Sequence, residues 1–264
     1  MTTEEVYLHP EDYDLELADR DVHDLPFWIS VMHAEKPRSV LEVGCGTGRL
    51  TVPLARDGAN QRYLVSGIDP EQPMLERAMS RRSRLPADVR DALSLFQGDI
   101  RTVRLQTTFD VVLMPYGAAH HLLTLDDQLT AWRNARRHLR EGGLFALDVD
   151  APNMGVLHRL MKGTPRHRDL DAVIPSGRKL QRTVASRYSP STQRAVHDYR
   201  YHATDPDGTQ RCYTSTFEMH VYFPRELELL CLATGLRCER LLGSYEGAAF
   251  DDRSAQMILM ARAC

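Results

Sequence analysis

The feature that most constrains this chain is a glycine-rich turn that follows a short apolar run. Residues 40–43 are apolar apart from Glu42, and residues 44–48 read Gly-Cys-Gly-Thr-Gly. Glycine at every second position lets the backbone turn sharply and lets a ligand approach the main chain without a Cβ in the way. An apolar-patterned segment, residues 50–55, begins directly afterwards. A strand, a glycine loop and a helix in this order predict a nucleotide-cofactor site at the first strand of an open α/β sheet.

The spacing of the glycines indicates which nucleotide the loop accepts. A dinucleotide fingerprint requires G-x-G-x-x-G, and Arg49 occupies the position of its third glycine. The pattern E-x-G-x-G-x-G instead resembles the first motif of the class I S-adenosylmethionine-dependent methyltransferases. The resemblance implies that the loop binds S-adenosylmethionine, with its N–H groups on the methionine part. The residues concerned are Glu42, Gly44, Cys45, Gly46 and Gly48.

A second motif of the same family is similar to the segment that follows the next apolar run. A carboxylate at the tip of a second strand can accept hydrogen bonds from both ribose hydroxyls, and Asp69 has this position. Pro70 ends the strand and a helix begins after it. The string I-D-P-x-x-x-M-L resembles the family's motif, which adds Pro70 and Met74 to the predicted cofactor residues.

Two further segments are predicted to contact the cofactor because of the resemblance. In the family, a Gly-Asp-apolar trio lies beside the adenine ring, and Gly98, Asp99 and Ile100 match it. Met114 ends the fourth strand and is also assigned to the cofactor. An N-terminal Tyr-Asp pair in many small-molecule methyltransferases folds over the cofactor, and Tyr13 resembles it; a tyrosine on a surface arm is the alternative.

The loop after the fourth strand is the expected meeting point of methyl donor and acceptor. Enzymes that methylate nucleic-acid amines carry (Asn/Asp)-Pro-Pro-Tyr here, and this chain keeps only Pro115 and Tyr116. An imidazole in this loop can take a proton from the acceptor or orient it. The resemblance favours His121, which precedes a leucine, over His120. A histidine satisfied by backbone or water is the alternative, and adjacent histidines on a helix are not expected to clamp a metal.

Residues 151–223 are predicted to form an inserted antiparallel meander. Three extended runs, residues 179–188, 194–203 and 211–223, are separated by turn sequences, and a short helix is expected at residues 154–161. The insertion resembles the accessory sheet of small-molecule N-methyltransferases, which roofs the substrate pocket and often supplies a dimer surface. The predicted substrate residues are Tyr116, Tyr199, Arg200, Tyr201 and Tyr213. Packing of the same side chains on a core or partner is the alternative.

Composition excludes several other classes of protein. The 33 basic and 36 acidic residues give a formal net charge of -3, which argues against a nucleic-acid partner. Five cysteines without C-x-x-C spacing fit neither a disulfide framework nor a metal knot. The polar, acidic start and the absence of a long apolar run predict a cytoplasmic protein that does not contact membranes.

We therefore expect an α/β fold with a doubly wound, mostly parallel seven-stranded sheet whose last strand is antiparallel. Residues 1–37 are predicted to form a cap segment, 38–150 and 224–264 the cofactor-binding core, and 151–223 the inserted lid. The resemblance implies transfer of a methyl group from S-adenosylmethionine to nitrogen or oxygen of a small molecule, leaving S-adenosylhomocysteine. Carbon methylation, an RNA or protein acceptor, a non-catalytic cofactor-binding protein and a homodimer formed through the lid remain open.

Overall fold

The computed structural model describes residues 5–18, 24–173 and 177–264. Its helices, numbered in chain order, are α1 (Pro10–Ala18), α2 (Asp24–Glu35), α3 (Thr51–Gln61), α4 (Gln72–Ser83), α5 (Ala87–Asp91), α6 (Leu125–Arg137), α7 (Met154–Met161) and α8 (Pro224–Ala233). Its strands are β1 (Ser39–Val43), β2 (Leu64–Asp69), β3 (Leu93–Gln97), β4 (Phe109–Met114), β5 (Leu139–Asp150), β6 (His167–Val173), β7 (Lys179–Ser189), β8 (Arg194–Thr204), β9 (Gln210–His220), β10 (Leu236–Leu242) and β11 (Gln256–Ala263). Short 3-10 helices cover Glu5–Leu8 and Ala118–His121.

The core unit contains the described residues 24–152 together with Tyr222–Cys264. Within these residues, seven strands form one sheet in the order β10-β11-β5-β4-β1-β2-β3. The strands β1 to β5 pair in parallel, whereas β11 is antiparallel to both β5 and β10. The predicted fold class is confirmed. Because strand order reverses between β1 and β4, the carboxyl ends of these strands form a topological switch point, where α/β sheets bind ligands.

Each face of this sheet packs against its own apolar layer. In β4, Val112 belongs to a cluster that includes Trp132 of α6, while Val111 belongs to a second cluster that includes Trp28 of α2. All the side chains of β4 are buried. A near-continuous apolar run is typical of a parallel strand that is covered on both faces. The rigid core therefore holds the loops at the carboxyl ends of its strands in fixed positions.

The second unit contains residues 5–18 and the described part of Asn153–Val221. The strands β6, β7, β8 and β9 form an antiparallel sheet in that order. One face of the sheet carries Leu180, Tyr201 and Ala203, which are buried together with Leu15 of α1. The antiparallel sheet predicted between β5 and the last helix is confirmed.

One strand of the structure was not predicted, and another ends earlier than predicted. The structure adds β6, where Leu170 and Ala172 are buried and alternate with exposed residues in a run too short to stand out in the sequence. The strand β5 begins at Leu139, because Leu139 pairs with Phe109 across a register shift. The strand β9 ends at His220, before the predicted end at residue 223.

The two units divide the predicted N-terminal segment, residues 1–37, between them. The helix α1 belongs to the unit of the antiparallel sheet, and α2 belongs to the core unit. In the described part of the chain, no helix combines the length and the apolar character that crossing a bilayer requires.

Candidate active site

The glycine loop after β1 depends on three residues with positive φ. Gly44, Gly46 and Gly48 have φ values of 73°, 52° and 83°. A Cβ on Gly44 would lie 3.0 Å from the Cβ of Ala118, in the segment after β4. Glycine is therefore required both for the conformation of the loop and for its close approach to the neighbouring loop at the switch point.

The N–H groups of this loop bind the protein itself. Gly44 and Cys45 donate to the carbonyl of Ile68 at 2.9 and 3.0 Å, and Gly48 donates to the carbonyl of Cys45 at 2.9 Å. Gly46 donates to Asp69 Oδ2 at 2.7 Å. The bonds to Ile68 and Asp69 hold the loop on the end of β2. Contact of this loop with the methionine part of a cofactor stays a prediction.

Asp69 joins the glycine loop to the start of α4. Its Oδ2 accepts from Gly46, and its Oδ1 accepts from the backbone N–H of Glu71 at 2.9 Å. Burial raises the pKa of Asp69 to about 6, although the two N–H bonds lower it. A carboxylate offers about four lone-pair sites, so two remain for hydroxyl donors. Pro70 is exposed, whereas Met74 is buried with its Cε beside Gly46.

Glu42 is a buried carboxyl beneath the glycine loop. The hydroxyl of Thr51, at the start of α3, donates to Glu42 Oε2 at 2.5 Å. Burial is the main cause that raises the pKa of Glu42 to about 8, so the carboxyl is protonated at neutral pH. Cys45 is a buried free thiol whose pKa is raised mainly by burial. Both groups are therefore neutral parts of the support of the loop.

The Gly-Asp-Ile trio after β3 lies beside an arginine that the sequence did not indicate. Arg101 donates to both carboxylate oxygens of Asp99, through Nε at 3.0 Å to each and through its backbone N–H to Oδ1 at 2.8 Å. The pKa of Asp99 is lowered by these bonds, although burial opposes the shift. Ile100 is buried, and a Cβ on Gly98 would lie 2.8 Å from Val103. The carboxylate is thus ionised and already bound by a cation.

The loop after β4 makes a strained turn that β5 holds in place. Met114 is buried at the end of β4, and Tyr116 and Gly117 both have positive φ, 55° and 69°. The backbone N–H of Tyr116 donates to Asp148 Oδ1 at 2.8 Å, and that of Gly117 donates to the carbonyl of Asp148 at 3.2 Å. A non-glycine residue at positive φ costs free energy that such contacts must offset.

The two histidines of this loop differ in environment. His120 is buried, and its Nε2 accepts a hydrogen bond from the backbone N–H of Asp150 at 3.1 Å. This contact requires an unprotonated Nε2 and gives His120 a structural role in joining the loop to β5. His121 is partly exposed, and desolvation is the main cause that lowers its pKa to about 4. His121 is therefore neutral at physiological pH.

A polar cluster at the same edge of the sheet was not found from the sequence. Arg49, directly after the glycine loop, donates from both terminal nitrogens to the two carboxylate oxygens of Asp24, each at 2.7 Å. The guanidinium also lies over the ring of Tyr116, 4.7 Å from its centroid. Asp148 accepts from Tyr116 and, through Oδ2, from the hydroxyl of Tyr245 at 3.1 Å.

The predicted substrate residues of the antiparallel sheet do not share one surface. The rings of Tyr201 and Tyr213 stack at 4.6 Å, and Tyr199 contacts the Tyr201 ring at 6.0 Å. Tyr201 is buried, with the Arg182 guanidinium 5.7 Å from its ring centroid. Arg200 is exposed and, as the residue between Tyr199 and Tyr201 in β8, points to the opposite face. Arg200 therefore cannot form one pocket wall of this sheet with the tyrosines.

Tyr13 and a group of potential metal ligands lie on the N-terminal segment of the same unit. The ring of Tyr13 meets that of Tyr7 edge-on at 5.9 Å. His9, Glu11 and Asp12 place ligand atoms within 4.8 Å of one another. However, the hydroxyl of Tyr213 donates to Asp12 at 3.1 Å and Arg178 Nη2 lies 2.5 Å from the same carboxylate. We assign these acidic residues to an ion-pair network rather than to a metal site.

The fold and the matched domain identify the class of enzyme. The structure superposes with a TM-score of 0.76 on a crystal structure of an S-adenosylmethionine-dependent methyltransferase from Clostridium acetobutylicum, which is 17% identical and covered to 98% in both chains. At this identity the similarity shows the fold. A family described as a methyltransferase domain matches residues 40–143, which include the glycine loop, Asp69 and Asp99. Residues 40–143 are an S-adenosylmethionine-dependent methyltransferase domain. The cofactor predicted for the chain, S-adenosylmethionine, is that of this class.

Two curated relatives extend the similarity of this methyltransferase beyond the matched domain. Cypemycin N-terminal methyltransferase from Streptomyces sp is 26% identical over 234 residues, which are 88% of this chain and 86% of the relative. dTDP-3-amino-3,4,6-trideoxy-alpha-D-glucopyranose N,N-dimethyltransferase from Streptomyces venezuelae is 27% identical over 210 residues, 79% of each chain. The first name specifies an N-terminal methyltransferase, and the second specifies an N,N-dimethyltransferase of an amino sugar.

Proposed function

We propose that this methyltransferase transfers a methyl group from S-adenosylmethionine to the nitrogen of a small-molecule amine. The observation that supports this acceptor is the similarity to two N-methylating relatives over at least 79% of each chain. When bound, S-adenosylmethionine supplies a methyl group on a cationic sulfur. The protein must then hold a nitrogen lone pair in line with that methyl group and remove a proton from the amine.

The carboxyl end of β2 and the glycine loop beside it are the proposed site for the ribose and the methionine part of the cofactor. Asp69 keeps two acceptor sites after its bonds to the glycine loop and α4, which suits a pair of ribose hydroxyls. The position of Gly46 supports the same placement, because its missing side chain leaves the backbone accessible beside Met74. We assign Asp69 to the ribose and residues 44–48 to close backbone contact with the methionine part.

The proposed adenine contacts include a carboxylate, Asp99, that already binds another side chain. We assign the apolar contact with the ring to Ile100, as the family resemblance implies. An exocyclic amine on Asp99 would have to share the carboxylate with Arg101, which donates to both of its oxygens. This competition makes Arg101 a determinant of adenine binding that the motif alone does not include.

We assign the orientation of the acceptor to His121. Its imidazole is neutral because of desolvation, so one ring nitrogen accepts and the other donates a hydrogen bond. The loop position after β4 places it at the edge of the sheet where ligands bind. Within the core unit, we retain Tyr116 as a proposed acceptor contact. A homodimer through the antiparallel sheet also stays a prediction, which a monomeric mass in sedimentation at micromolar concentration would contradict.

The acceptor is tested with purified protein, radiolabelled S-adenosylmethionine and matched pairs of acceptors. The pairs are the dTDP-linked amino sugar named above against its hydroxyl analogue, and a peptide with a free amino terminus against its acetylated form. The proposal predicts label in at least one amine and in neither blocked analogue. Label only in the hydroxyl sugar, or in none of the four compounds, would contradict a nitrogen acceptor of this class.

A further inference from the structure

The buried carboxyl of Asp148 lies where the topology brings several loops together. Asp148 is near the carboxyl end of β5, and the neighbouring strand β4 ends in the loop that contains Tyr116. The first residue of β11, Gln256, pairs with Asp150. The loop between β10 and β11 therefore reaches the same edge of the sheet and delivers Tyr245. This is the edge at which donor and acceptor are expected to meet.

Asp148 accepts hydrogen bonds from two neutral donors. Its two oxygens accept from the backbone N–H of Tyr116 at 2.8 Å and from the hydroxyl of Tyr245 at 3.1 Å. The cation of the cluster, Arg49, is engaged in a bidentate pair with Asp24. The Arg49 guanidinium is thus bound to Asp24, and its charge also acts on Asp148. An ammonium group at this edge would be attracted to the ionised form of Asp148.

We propose that the Tyr245 hydroxyl contacts the amine of the acceptor and that Asp148 receives its proton through this hydroxyl. The inference rests on the proposed function, because it requires a nitrogen acceptor. It deepens that function by naming the groups that prepare the amine for transfer. It also gives a role to the loop between β10 and β11, whose acidic residues by themselves suggest only a solvated surface.

The proton transfer balances without any further reactant. The acceptor arrives as an ammonium ion, and one N–H bond breaks as an O–H bond forms on Tyr245. The original hydroxyl proton of Tyr245 moves to Asp148 Oδ2. The freed nitrogen lone pair then bonds to the transferred methyl carbon, and the electron pair of the carbon–sulfur bond remains on sulfur.

The charges around the pair suit this direction of transfer. Burial raises the pKa of Asp148 to about 7, with Asp24 of α2 acting in the same direction; the N–H of Tyr116, the Tyr245 hydroxyl and Arg49 act against it. Burial and Asp148 also raise the pKa of Tyr245, so its hydroxyl remains a donor to Asp148. By comparison, His121 has a pKa of about 4 and is the weaker base. A base with a pKa near the working pH is the more effective one.

The test combines a direct titration with turnover. Wild type, Asp148→Asn, Tyr245→Phe and the control Asp252→Asn, an exposed residue of the same loop, are first titrated with S-adenosylhomocysteine to show that each is folded. Carboxyl carbons are then followed by ¹³C NMR against pH in labelled wild type, and the Asp148 signal is assigned by its loss in Asp148→Asn. Finally, kcat is measured against pH with the amine that wild type methylates.

The proposal predicts that the Asp148 signal titrates near pH 7. It predicts a kcat that rises through the same pH in wild type and Asp252→Asn. Asp148→Asn and Tyr245→Phe are expected to lose about 100-fold in kcat. In Asp148→Asn, the rise of kcat near pH 7 should also disappear. Both variants should still bind S-adenosylhomocysteine as wild type does. A signal that titrates near pH 4, or an Asp148→Asn variant with the pH profile of wild type, would overturn it. If wild type methylates no amine, the proposed function has failed and this inference with it.

Discussion

Replacement of Glu42 by glutamine isolates the energetic cost of the carboxyl under the glycine loop. The side chain is buried, and its pKa rises from an ordinary value of 4.5 to about 8 because burial penalises the charged form. Glutamine has nearly the same shape and keeps an oxygen that accepts from the Thr51 hydroxyl. It cannot ionise, so the variant removes the pH-dependent penalty and little else.

The magnitude follows from the difference between the folded and unfolded pKa values. Below pH 4.5 the carboxyl is protonated in both states and contributes no pH dependence. Between pH 4.5 and 8 only the folded state holds the proton, so the free energy of unfolding of wild type falls by about 1.36 kcal/mol for each pH unit. The total loss in free energy of unfolding between pH 4.5 and 8 is about 5 kcal/mol, and this loss stays constant above pH 8. Relaxation of the loop around an ionised carboxyl reduces this, and we expect about 2–5 kcal/mol.

The assay is urea unfolding without cofactor at several pH values between 5 and 9. Asp69 and Asp148 also have raised pKa values, but both are present in wild type and Glu42→Gln, so their effects cancel in the difference. The variant is expected to gain stability relative to wild type as the pH rises to 8. The control is Glu76→Gln on the exposed surface of α4, which should follow wild type. Parallel curves for wild type and Glu42→Gln would refute a neutral Glu42.

Three further substitutions test the remaining assignments. Asp69→Ala should weaken binding of S-adenosylmethionine by about 1–3 kcal/mol in calorimetry, because charge-assisted hydrogen bonds are lost. The control Asp91→Ala, which changes an exposed residue, should bind as wild type does. Equal affinities of Asp69→Ala and wild type would remove Asp69 from the site. Gly44→Ala should lower the midpoint of thermal unfolding more than Gly142→Ala does. Both glycines have positive φ, but only a Cβ on Gly44 would contact a neighbour, Ala118, at 3.0 Å. Equal losses in the two variants would show that backbone strain alone matters. His121→Ala should raise KM for the amine while keeping the rise of kcat near pH 7; loss of that rise would make His121, rather than Asp148, the proton acceptor.

The parts of the site that the sequence predicts are those formed by neighbours in the chain. Gly44, Gly46 and Gly48 form one turn, and Asp69 ends one strand, so spacing alone locates them. Strand alternation could also have separated Arg200 from the tyrosines on either side of it, since adjacent strand residues point to opposite faces. The alternation alone thus places Arg200 and these tyrosines on different faces of β8.

Other features depend on contacts between distant residues and could not be predicted. Tyr245 and Asp148 are 97 positions apart, and only the pairing of β11 with β5 brings their loops to one edge of the sheet. The different environments of His120 and His121 likewise require the position of the Asp150 N–H. Neither spacing nor residue type contains this information.

The most direct test of the account is calorimetric titration of the purified protein with S-adenosylmethionine, S-adenosylhomocysteine and NAD. The glycine loop, Asp69 and the matched methyltransferase domain predict that the first two bind and NAD does not. Binding of NAD, or of none of the three, would contradict the assignment of the loop and of every residue placed around it.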